Sequence, residues 1–557
     1  MNFPTDIEIA RSVKPRPIME IAESIGLPSD DIIPYGHDKA KVRFQAIEKS
    51  KNPEGQLILV SAITPTPAGE GKTTTAIGLA QGMKRLGRSV ALALREPSMG
   101  PIFGIKGGAT GGGYSQVIPM EDINLQFTGD FPAISAAHNL LAAALDNALH
   151  QRQIVRLDPR CITFPRVIDM NDRALRRIIV GLGGSMMGVP RETHCDITAA
   201  SEVMAILCLA RNYDDLKARL KKILVGLTFD GEPITADTLK VAGAMMVLLK
   251  EAIHPNLVQT LEGVPAFIHG GPFANIAHGA NSILATKMAL AYADYAVTEA
   301  GFGFDLGAEK FFDITCAAGD FAPETCVLVA TVRALKMHGG AGMKRLKKPD
   351  PEAVSRGLSN MEKHIESIHR FQVPVVVAIN RFHTDTNNEI QVIINRCREL
   401  DVPVAITDHF SKGGEGATAL AETVLNTLNG KPLPLKPLYE YEWKMEDKIA
   451  KIAEEMYGAE HVDYTIKGKR HLRTVERLGY GNLGVCMAKT QKSLSDNPEL
   501  LGRPEHFIVT VRSIEISAGA GFVVPITGEI LRMPGLPRKS NYIDMDIDSE
   551  GNITGIS

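Results

Sequence analysis

The segment QLILVSAITPTPAGEGKTTTAIGLA (56–80) decides the fold class of this chain. Its first eight residues form a continuous apolar run typical of a buried strand, and residues 72–86 have the pattern of a helix. The loop between them ends in Gly71-Lys72-Thr73. A Gly-Lys-Thr loop between a strand and a helix is the context of a phosphate-binding P-loop. The segment therefore predicts a nucleotide-binding α/β fold.

The chemistry of this loop follows from its position at the start of a helix. Backbone N–H groups of the loop and of the helix N-terminus can surround phosphate oxygens. Lys72 would reach the β- and γ-phosphates of ATP, and the Thr73 hydroxyl would hold Mg²⁺. The residues expected to bind nucleotide are Thr66, Pro67, Ala68, Gly69, Glu70, Gly71, Lys72 and Thr73.

Two positions of the loop depart from known patterns. The usual P-loop has glycine where this chain has Thr66. Partitioning ATPases carry a signature lysine five residues before the loop lysine, and this chain has Pro67 there. A partitioning or regulatory ATPase is therefore a weaker alternative, as is another carboxylate-activating P-loop ligase.

Short apolar runs alternate with helical patterns through most of the chain. Continuous apolar strands separated by helices predict a mainly parallel sheet covered on both faces. The predicted strands are 56–63, 89–94, 222–229, 265–269, 295–300, 326–332, 373–379 and 402–407. The predicted helices are 72–86, 134–149, 199–210, 279–293, 386–400 and 415–429.

Two polar, proline-containing segments, 342–353 and 429–443, suggest domain boundaries. The fold class that we predict is α/β, with a large P-loop-type, mainly parallel, doubly wound sheet and two smaller α/β domains. The expected domains are residues 1–345, residues 346–435 and an α+β unit of residues 436–557.

Composition narrows the function classes. The chain has 557 residues, 44% of them apolar and 22% charged, as in soluble globular proteins. Its 61 basic and 64 acidic side chains argue against a nucleic-acid partner. No apolar run is long enough for a membrane span. Seven cysteines without a CxxC pair indicate reduced core thiols. We expect a cytoplasmic protein with no membrane partner.

Several polar residues follow predicted strands, where ligands of open α/β sheets bind. Arg95 follows strand 89–94, and its guanidinium could hold carboxylate or phosphate oxygens. Glu299, Asp305 and Glu309 could orient a cation or could be solvated acids. His269 and His278 lie nine residues apart on a loop, which is weak support for a zinc site.

The chain has 51 glycines, and they gather in segments such as 104–113 and 301–307 rather than in low-complexity sequence. In order along the chain, the motifs resemble those of the formate–tetrahydrofolate ligase family, in its monofunctional bacterial form. The resemblance rests on TPAGEGKTTT (66–75), REPSMGPIFGIKGGATGGGY (95–114), PMEDINLQFTGD (119–130), GGPFANIAHG (270–279), TEAGFGFDLGAEKF (298–311), SKGGEG (411–416) and PITGEILRMPGLP (525–537).

The resemblance implies an ATP-dependent ligation of formate to tetrahydrofolate through formyl phosphate, with ADP and phosphate as the other products. It implies a nucleotide- and formate-binding first domain and a folate-binding second domain. Activation by a monovalent cation, K⁺ or NH₄⁺, and a homotetramer are also implied. The catalytic candidates are Lys72, Arg95 and Asp130, of which the resemblance puts Arg95 at formyl phosphate.

The resemblance also implies a pterin site between two aromatic rings. Phe382 matches one of them, and Phe410 occupies the position where the family usually has tryptophan. A phenylalanine can still stack, with less area. Gln126 stands where relatives have histidine, so any acid–base role of that histidine is absent here. The single tryptophan, Trp443, lies outside the motif and is expected to pack.

Overall fold

The structure is a computed structural model that describes residues 3–51, 54–104, 110–154, 156–428 and 434–556. Within these residues, twelve strands form one large sheet. In chain order they are β1 (Ile32–Pro34), β2 (Ala40–Val42), β3 (Gln56–Ala62), β4 (Val90–Leu94), β5 (Gly111–Gly112), β6 (Ser115–Ile118), β7 (Asn256–Thr260), β8 (Pro265–Ile268), β9 (Tyr295–Glu299), β10 (Thr325–Ala330), β11 (Val375–Asn380) and β12 (Val404–Thr407).

The sheet is mainly parallel, as predicted. Seven neighbouring strands of the described part run parallel in the order β8-β4-β9-β3-β10-β11-β12. Antiparallel strands extend the sheet beyond β8, beginning with β7, which also pairs with β2 and β6. Because parallel strands end at one edge, the residues that follow β3, β4 and β9 lie close together.

Helices cover both faces of the sheet. Along β3, Leu57 and Leu59 belong to one hydrophobic cluster, and Ile58 and Val60 belong to another. This alternation is the period of a strand that is buried on both sides. The described helices of seven or more residues are α1 (Asp6–Ser12), α2 (Ile18–Ser24), α3 (Lys72–Arg85), α4 (Asp130–His150), α5 (Glu202–Leu209), α6 (Tyr213–Lys221), α7 (Ala242–Leu248), α8 (Ile283–Tyr292), α9 (Val332–His338), α10 (Pro351–Arg370), α11 (Asn387–Glu399), α12 (Thr418–Thr427), α13 (Met445–Ile452) and α14 (Ile466–Arg477).

One predicted strand does not belong to the parallel sheet. Residues Leu224–Thr228 form a strand, but it pairs antiparallel with Leu157–Ile162 and Pro233–Thr235 in a separate sheet. An apolar run predicts a buried strand without telling which sheet buries it, so this placement was wrong. The seven other predicted strands are the seven parallel strands of the large sheet.

The segment 346–435 contributes β11 and β12 to the large sheet, where β11 pairs with β10. The C-terminal segment contains its own small sheets, one formed by Gly484–Val485, Phe522–Ile526 and Ser513–Ser517. The three-domain division stays a prediction, and residues 429–433 of its second boundary lie outside the described part. No helix within the described residues combines the length and the apolar character that a membrane span requires.

Candidate functional site

The predicted phosphate loop lies between β3 and α3, and its backbone turns sharply at two glycines. Gly69 has φ 78° and Gly71 has φ 75°, both in the left-handed region that favours glycine. A Cβ on Gly71 would lie 2.6 Å from Nδ2 of Asn380. Helix α3 then begins at Lys72. The loop backbone and the N-terminus of α3 therefore lie together at the sheet edge where β3 ends.

Side chains from the neighbouring strand ends hold this loop from outside. Glu70 is buried, and its carboxylate closes the loop on itself. The contacts are Thr66 N donating to Glu70 Oε1 (2.7 Å), Thr331 Oγ1 donating to Glu70 Oε2, Arg333 Nη2 donating to Gly69 O (2.6 Å) and Asn380 Nδ2 donating to Glu70 O (3.0 Å). Residues beyond β10 and at the end of β11 therefore fix the loop before any nucleotide binds.

Glu299 joins the phosphate loop to Arg95. It is the last residue of β9 and is buried. Thr73 Oγ1 donates to Glu299 Oε2 at 2.8 Å, and Arg95 Nη2 lies 3.5 Å from Glu299 Oε1. Arg95 Nε is buried without a hydrogen-bond partner in the described part of the chain. Thr73, Arg95 and Glu299, which follow or end three adjacent strands, thus form one cluster.

A second buried cluster lies beside Arg95 and contains Asp130. Lys41 Nζ lies 2.7 Å from Asp130 Oδ1, and both side chains are buried. Asn256 Nδ2 donates to Asp130 Oδ2 at 2.8 Å. Burial, followed by the charge of Asp130, raises the pKa of Glu96 well above its ordinary value. One lysine therefore faces two neighbouring carboxyl groups.

Arg333 connects Phe382 to the phosphate loop, because it contacts both. The guanidinium carbon of Arg333 is 4.6 Å from the centre of the Phe382 ring, which is a cation–π contact. The same arginine donates to Gly69 O. Phe382 N donates to Asp385 Oδ2 at 2.9 Å, which fixes the turn after β11. The ring is half-buried and keeps an accessible surface.

Comparison with known proteins identifies the family of this chain. The family model described as formate–tetrahydrofolate ligase matches residues 4–557. The chain belongs to the formate–tetrahydrofolate ligase family. A relative named formate–tetrahydrofolate ligase, from Syntrophus aciditrophicus (strain SB), is 55% identical over 542 residues, which are 97% of this chain and 96% of the relative. The family's name states its reaction, in which formate is joined to tetrahydrofolate.

The structure places Phe410 beside α3, because the preceding residue contacts the first turn of that helix. His409, its neighbour, has Nε2 3.3 Å from Thr75 Oγ1 of α3. The Phe410 ring is about two-fifths exposed and stacks on Phe3 at 5.5 Å between ring centres. Phe382 and Phe410 have different ring neighbours, and their joint role in folate binding stays a prediction. Gln126 is exposed, and Trp443 is about two-fifths exposed.

Two other predicted polar candidates, His269 and Asp305, have partners outside this cluster. His269 has both ring nitrogens occupied, by Ser282 Oγ at 2.7 Å and Ala252 O at 2.6 Å. Within the part of the chain that the structure describes, no group of three or more His, Cys, Asp or Glu side chains is placed to bind a metal ion. Asp305 lies 3.1 Å from Lys489 in a buried ion pair. Residues 105–109 of the glycine segment 104–113 lie outside the described part.

Sequence reasoning missed the residues that hold the loop. Asn380 directly follows the predicted strand 373–379, as Arg95 follows 89–94, so the strand-end rule could have found it. Arg333 directly follows the predicted strand 326–332 and could have been found by the same rule, whereas Lys41 carries no comparable signal, because its contact depends on a segment far away in the chain.

Gly71 and Gly69 offer a matched test of the loop. In either variant the alanine must adopt the left-handed backbone conformation, which costs about 1–2 kcal/mol. Only Gly71→Ala also collides with Asn380, because nothing lies within 4 Å of a Cβ at Gly69. We expect the Kd for ATP to rise at least about tenfold more in Gly71→Ala than in Gly69→Ala. Isothermal titration calorimetry measures both, and equal losses would contradict the geometry.

The buried carboxyl group of Asp313 predicts how the stability of the fold depends on pH. Burial raises the pKa of Asp313 to about 7, and the pKa of its neighbour Glu309 is raised well above its ordinary value, again by burial first. Leu438 N donates to Asp313 Oδ1 at 2.8 Å. The carboxyl group of an unfolded aspartate has a pKa near 4. At pH values between this pKa and the folded pKa, only the folded state binds the proton of Asp313. The proton therefore stabilises the folded state, and this stabilisation is lost as the pH rises through the folded pKa.

Asp313→Asn removes this titration while its oxygen can still accept from Leu438. We expect the stability of the variant relative to the unmodified chain to increase from pH 5 to pH 8, by up to about 2.7 kcal/mol. Melting temperatures of both proteins at the two pH values provide the measurement. A difference that is independent of pH would show that Asp313 keeps an ordinary pKa.

Proposed function

We propose that this chain uses ATP to join formate to tetrahydrofolate, forming 10-formyltetrahydrofolate, ADP and phosphate through formyl phosphate. The observation that carries the proposal is the contact of one buried carboxylate, Glu299, with both Thr73 and Arg95. It places the phosphate-loop hydroxyl beside a guanidinium that can bind an acyl phosphate. A partitioning ATPase has no need of such an arginine, and the family match does not favour that alternative.

The first step is difficult because two negative charges must approach each other. A formate oxygen attacks the γ-phosphorus of ATP, the bond to the ADP oxygen breaks, and formyl phosphate forms. Catalysis of phosphoryl transfer comes mainly from positioning and charge neutralisation. Lys72 at the start of α3 suits the β- and γ-phosphates, and Arg95 suits the formate end.

The residues present fit ATP with Mg²⁺. The left-handed glycines keep the loop free of side chains at Gly69 and Gly71, which suits close approach of phosphate to the backbone. The Thr73 hydroxyl and the Glu299 carboxylate are hard oxygen ligands of the kind Mg²⁺ prefers. When bound, the metal neutralises phosphate charge. Glu299 keeps the Thr73 hydroxyl oriented toward this position.

The buried cluster at Asp130 fits a monovalent cation. Two carboxyl groups, Glu96 and Asp130, share one lysine, Lys41, and Glu96 Oε2 has no partner in the described residues. Such a group needs either a proton or a cation. Asp130 in this proposal acts through Glu96, which directly follows Arg95 in the chain.

In the second step, N10 of tetrahydrofolate attacks the formyl carbon and the carbon–oxygen bond to phosphate breaks. Phosphate leaves with the oxygen that came from formate, and N10 loses its proton to solvent. The proposed pterin contacts are the rings of Phe382 and Phe410, both of which keep accessible surface. Phe382 is tied to the phosphate loop through Arg333, which brings folate to the acyl group.

Substitutions at Phe410 test this assignment. Phe410→Ala should raise KM for tetrahydrofolate about two- to tenfold, and Phe410→Trp should lower it, since stacking contributes about 0.5–1.5 kcal/mol beyond area. The control is Trp443→Phe, at the tryptophan outside the motif, which should leave KM unchanged. Steady-state kinetics with varied tetrahydrofolate decide the outcome. A KM that does not respond to Phe410 would place the pterin elsewhere.

A direct test of the function measures ADP and 10-formyltetrahydrofolate by mass spectrometry. Both products should require formate, ATP and tetrahydrofolate together. ADP release that ignores formate would support an ATPase instead. We also propose the homotetramer, the three domains and the cytoplasmic location that the resemblance and composition suggest.

A further inference from the structure

His278 is a buried histidine with no visible structural purpose. It is fully buried, and neither ring nitrogen has a hydrogen-bond partner within the described residues. His269, nine residues earlier, has a partner on each nitrogen. Leaving a buried polar group unpaired costs about 1–3 kcal/mol. A side chain that bears this cost is a candidate for contact with a ligand.

The backbone around His278 places it beside Arg95. Gly301 N donates to the carbonyl of Gly279, which directly follows His278, at 3.0 Å. A Cβ on Gly301 would lie 3.0 Å from Nη1 of Arg95. Lys310 Nζ donates to Ala274 O at 2.6 Å, at the start of the same turn. Two cations, Arg95 and Lys310, are therefore next to the His278 segment.

The charges around His278 keep its ring neutral. Burial first, and then the charges of Lys310, Arg95 and Arg219, lower the pKa of His278 to about 3. A neutral imidazole has one N–H donor and one acceptor nitrogen. Because the ring is fully buried, only a ligand of a few atoms could reach it. Cations on several sides favour an anion, and a carboxylate oxygen would accept from the N–H.

We propose that His278 is a formate-binding residue, whose neutral ring donates a hydrogen bond to a formate oxygen next to Arg95. This inference rests on the proposed function, since formate is its small carboxylate substrate. Arg95 supplies the charge, and His278 fixes the direction of the carboxylate without adding a proton to it. The result is a formate oriented for attack on the γ-phosphate.

The test compares His278→Leu with His278→Gln. The leucine variant fills the space but cannot donate, so kcat/KM for formate should fall about ten- to a hundredfold, as for a lost hydrogen bond to a charged group. KM for ATP and for tetrahydrofolate should change less than about threefold. The glutamine variant keeps a donor and should recover part of the loss. Initial rates at varied formate, with the other substrates saturating, give these values.

Stability separates this role from a structural one. Since an unpaired polar group is removed, His278→Leu should melt at the same or a higher temperature. The control is His138→Leu, because His138 is equally buried but pairs with Pro165 O at 3.0 Å and stacks on Phe164 at 4.1 Å between ring centres. That variant should melt lower and keep the kcat/KM for formate.

Two results would overturn the inference. One is an unchanged kcat/KM for formate in His278→Leu, and the other is a leucine variant that fails to fold or loses the use of all three substrates equally. If the unmodified chain forms no 10-formyltetrahydrofolate, the proposed function itself fails. That outcome is visible before any variant is compared.

Discussion

Arg95→Ala is expected to lower kcat for the formation of 10-formyltetrahydrofolate by about 10²–10³-fold, the usual cost of removing one group that stabilises transition-state charge. ATP binding should change far less, because the proposed phosphate contacts are made by the loop backbone and Lys72 rather than by Arg95. The structure supports this division. Arg95 contacts Glu299, and its buried Nε has no partner in the described part of the chain.

Two variants control this experiment. Arg95→Lys keeps the charge but loses the planar fork, so it should recover only part of the rate. Arg88→Ala removes an exposed arginine just before the opposite end of β4 and should leave kcat unchanged. Kinetics with varied formate and calorimetric titration of ATP separate the two functions. Equal losses in ATP binding and formyl transfer would refute the role of Arg95.

Lys72→Met should lower kcat by a similar factor, about 10²–10³-fold, for a different reason. Lys72 is the first residue of α3 and follows the left-handed Gly71, a position that supports its proposed contact with the phosphates. Its loss removes positive charge from the γ-phosphate during transfer. The variant should therefore fail in every ATP-dependent step, including any formate-independent hydrolysis of ATP.

Lys84→Met is the matched control on the same helix. Lys84 Nζ donates to the carbonyls of Glu262 and Gly263, at 3.0 and 2.8 Å, near the end of α3 away from the loop. This variant should keep kcat and KM for ATP within about twofold, as expected for surface substitutions away from a site. If the kcat of Lys72→Met stayed within threefold of the normal value, Lys72 would have no catalytic role.

Much of the fold could be predicted from local patterns. Apolar runs such as 295–300 and 326–332 correspond to β9 and β10, because a strand buried on both faces needs a continuous apolar sequence. The run 222–229 has the same pattern but belongs to an antiparallel sheet. Partner choice depends on contacts made by distant segments, which a local window does not contain.

Some residues of the candidate site can likewise be predicted from local patterns, and others depend on contacts with distant segments. The Gly-Lys-Thr loop predicts Thr73, and Arg95 and Glu299 can be predicted because strand ends meet at one edge of a parallel sheet. The contacts of Glu70 with Thr331 and Asn380 join residues 261 and 310 positions apart. No spacing rule connects them, since the loop sequence alone does not tell which neighbouring strand will hold it.

In the proposed mechanism, a formate oxygen attacks ATP before folate reacts. The most direct measurement is to incubate the enzyme with ¹⁸O-labelled formate, ATP and tetrahydrofolate, and to analyse the released phosphate by mass spectrometry. We expect the released phosphate to carry one ¹⁸O atom from formate. Unlabelled phosphate formed together with 10-formyltetrahydrofolate would contradict it.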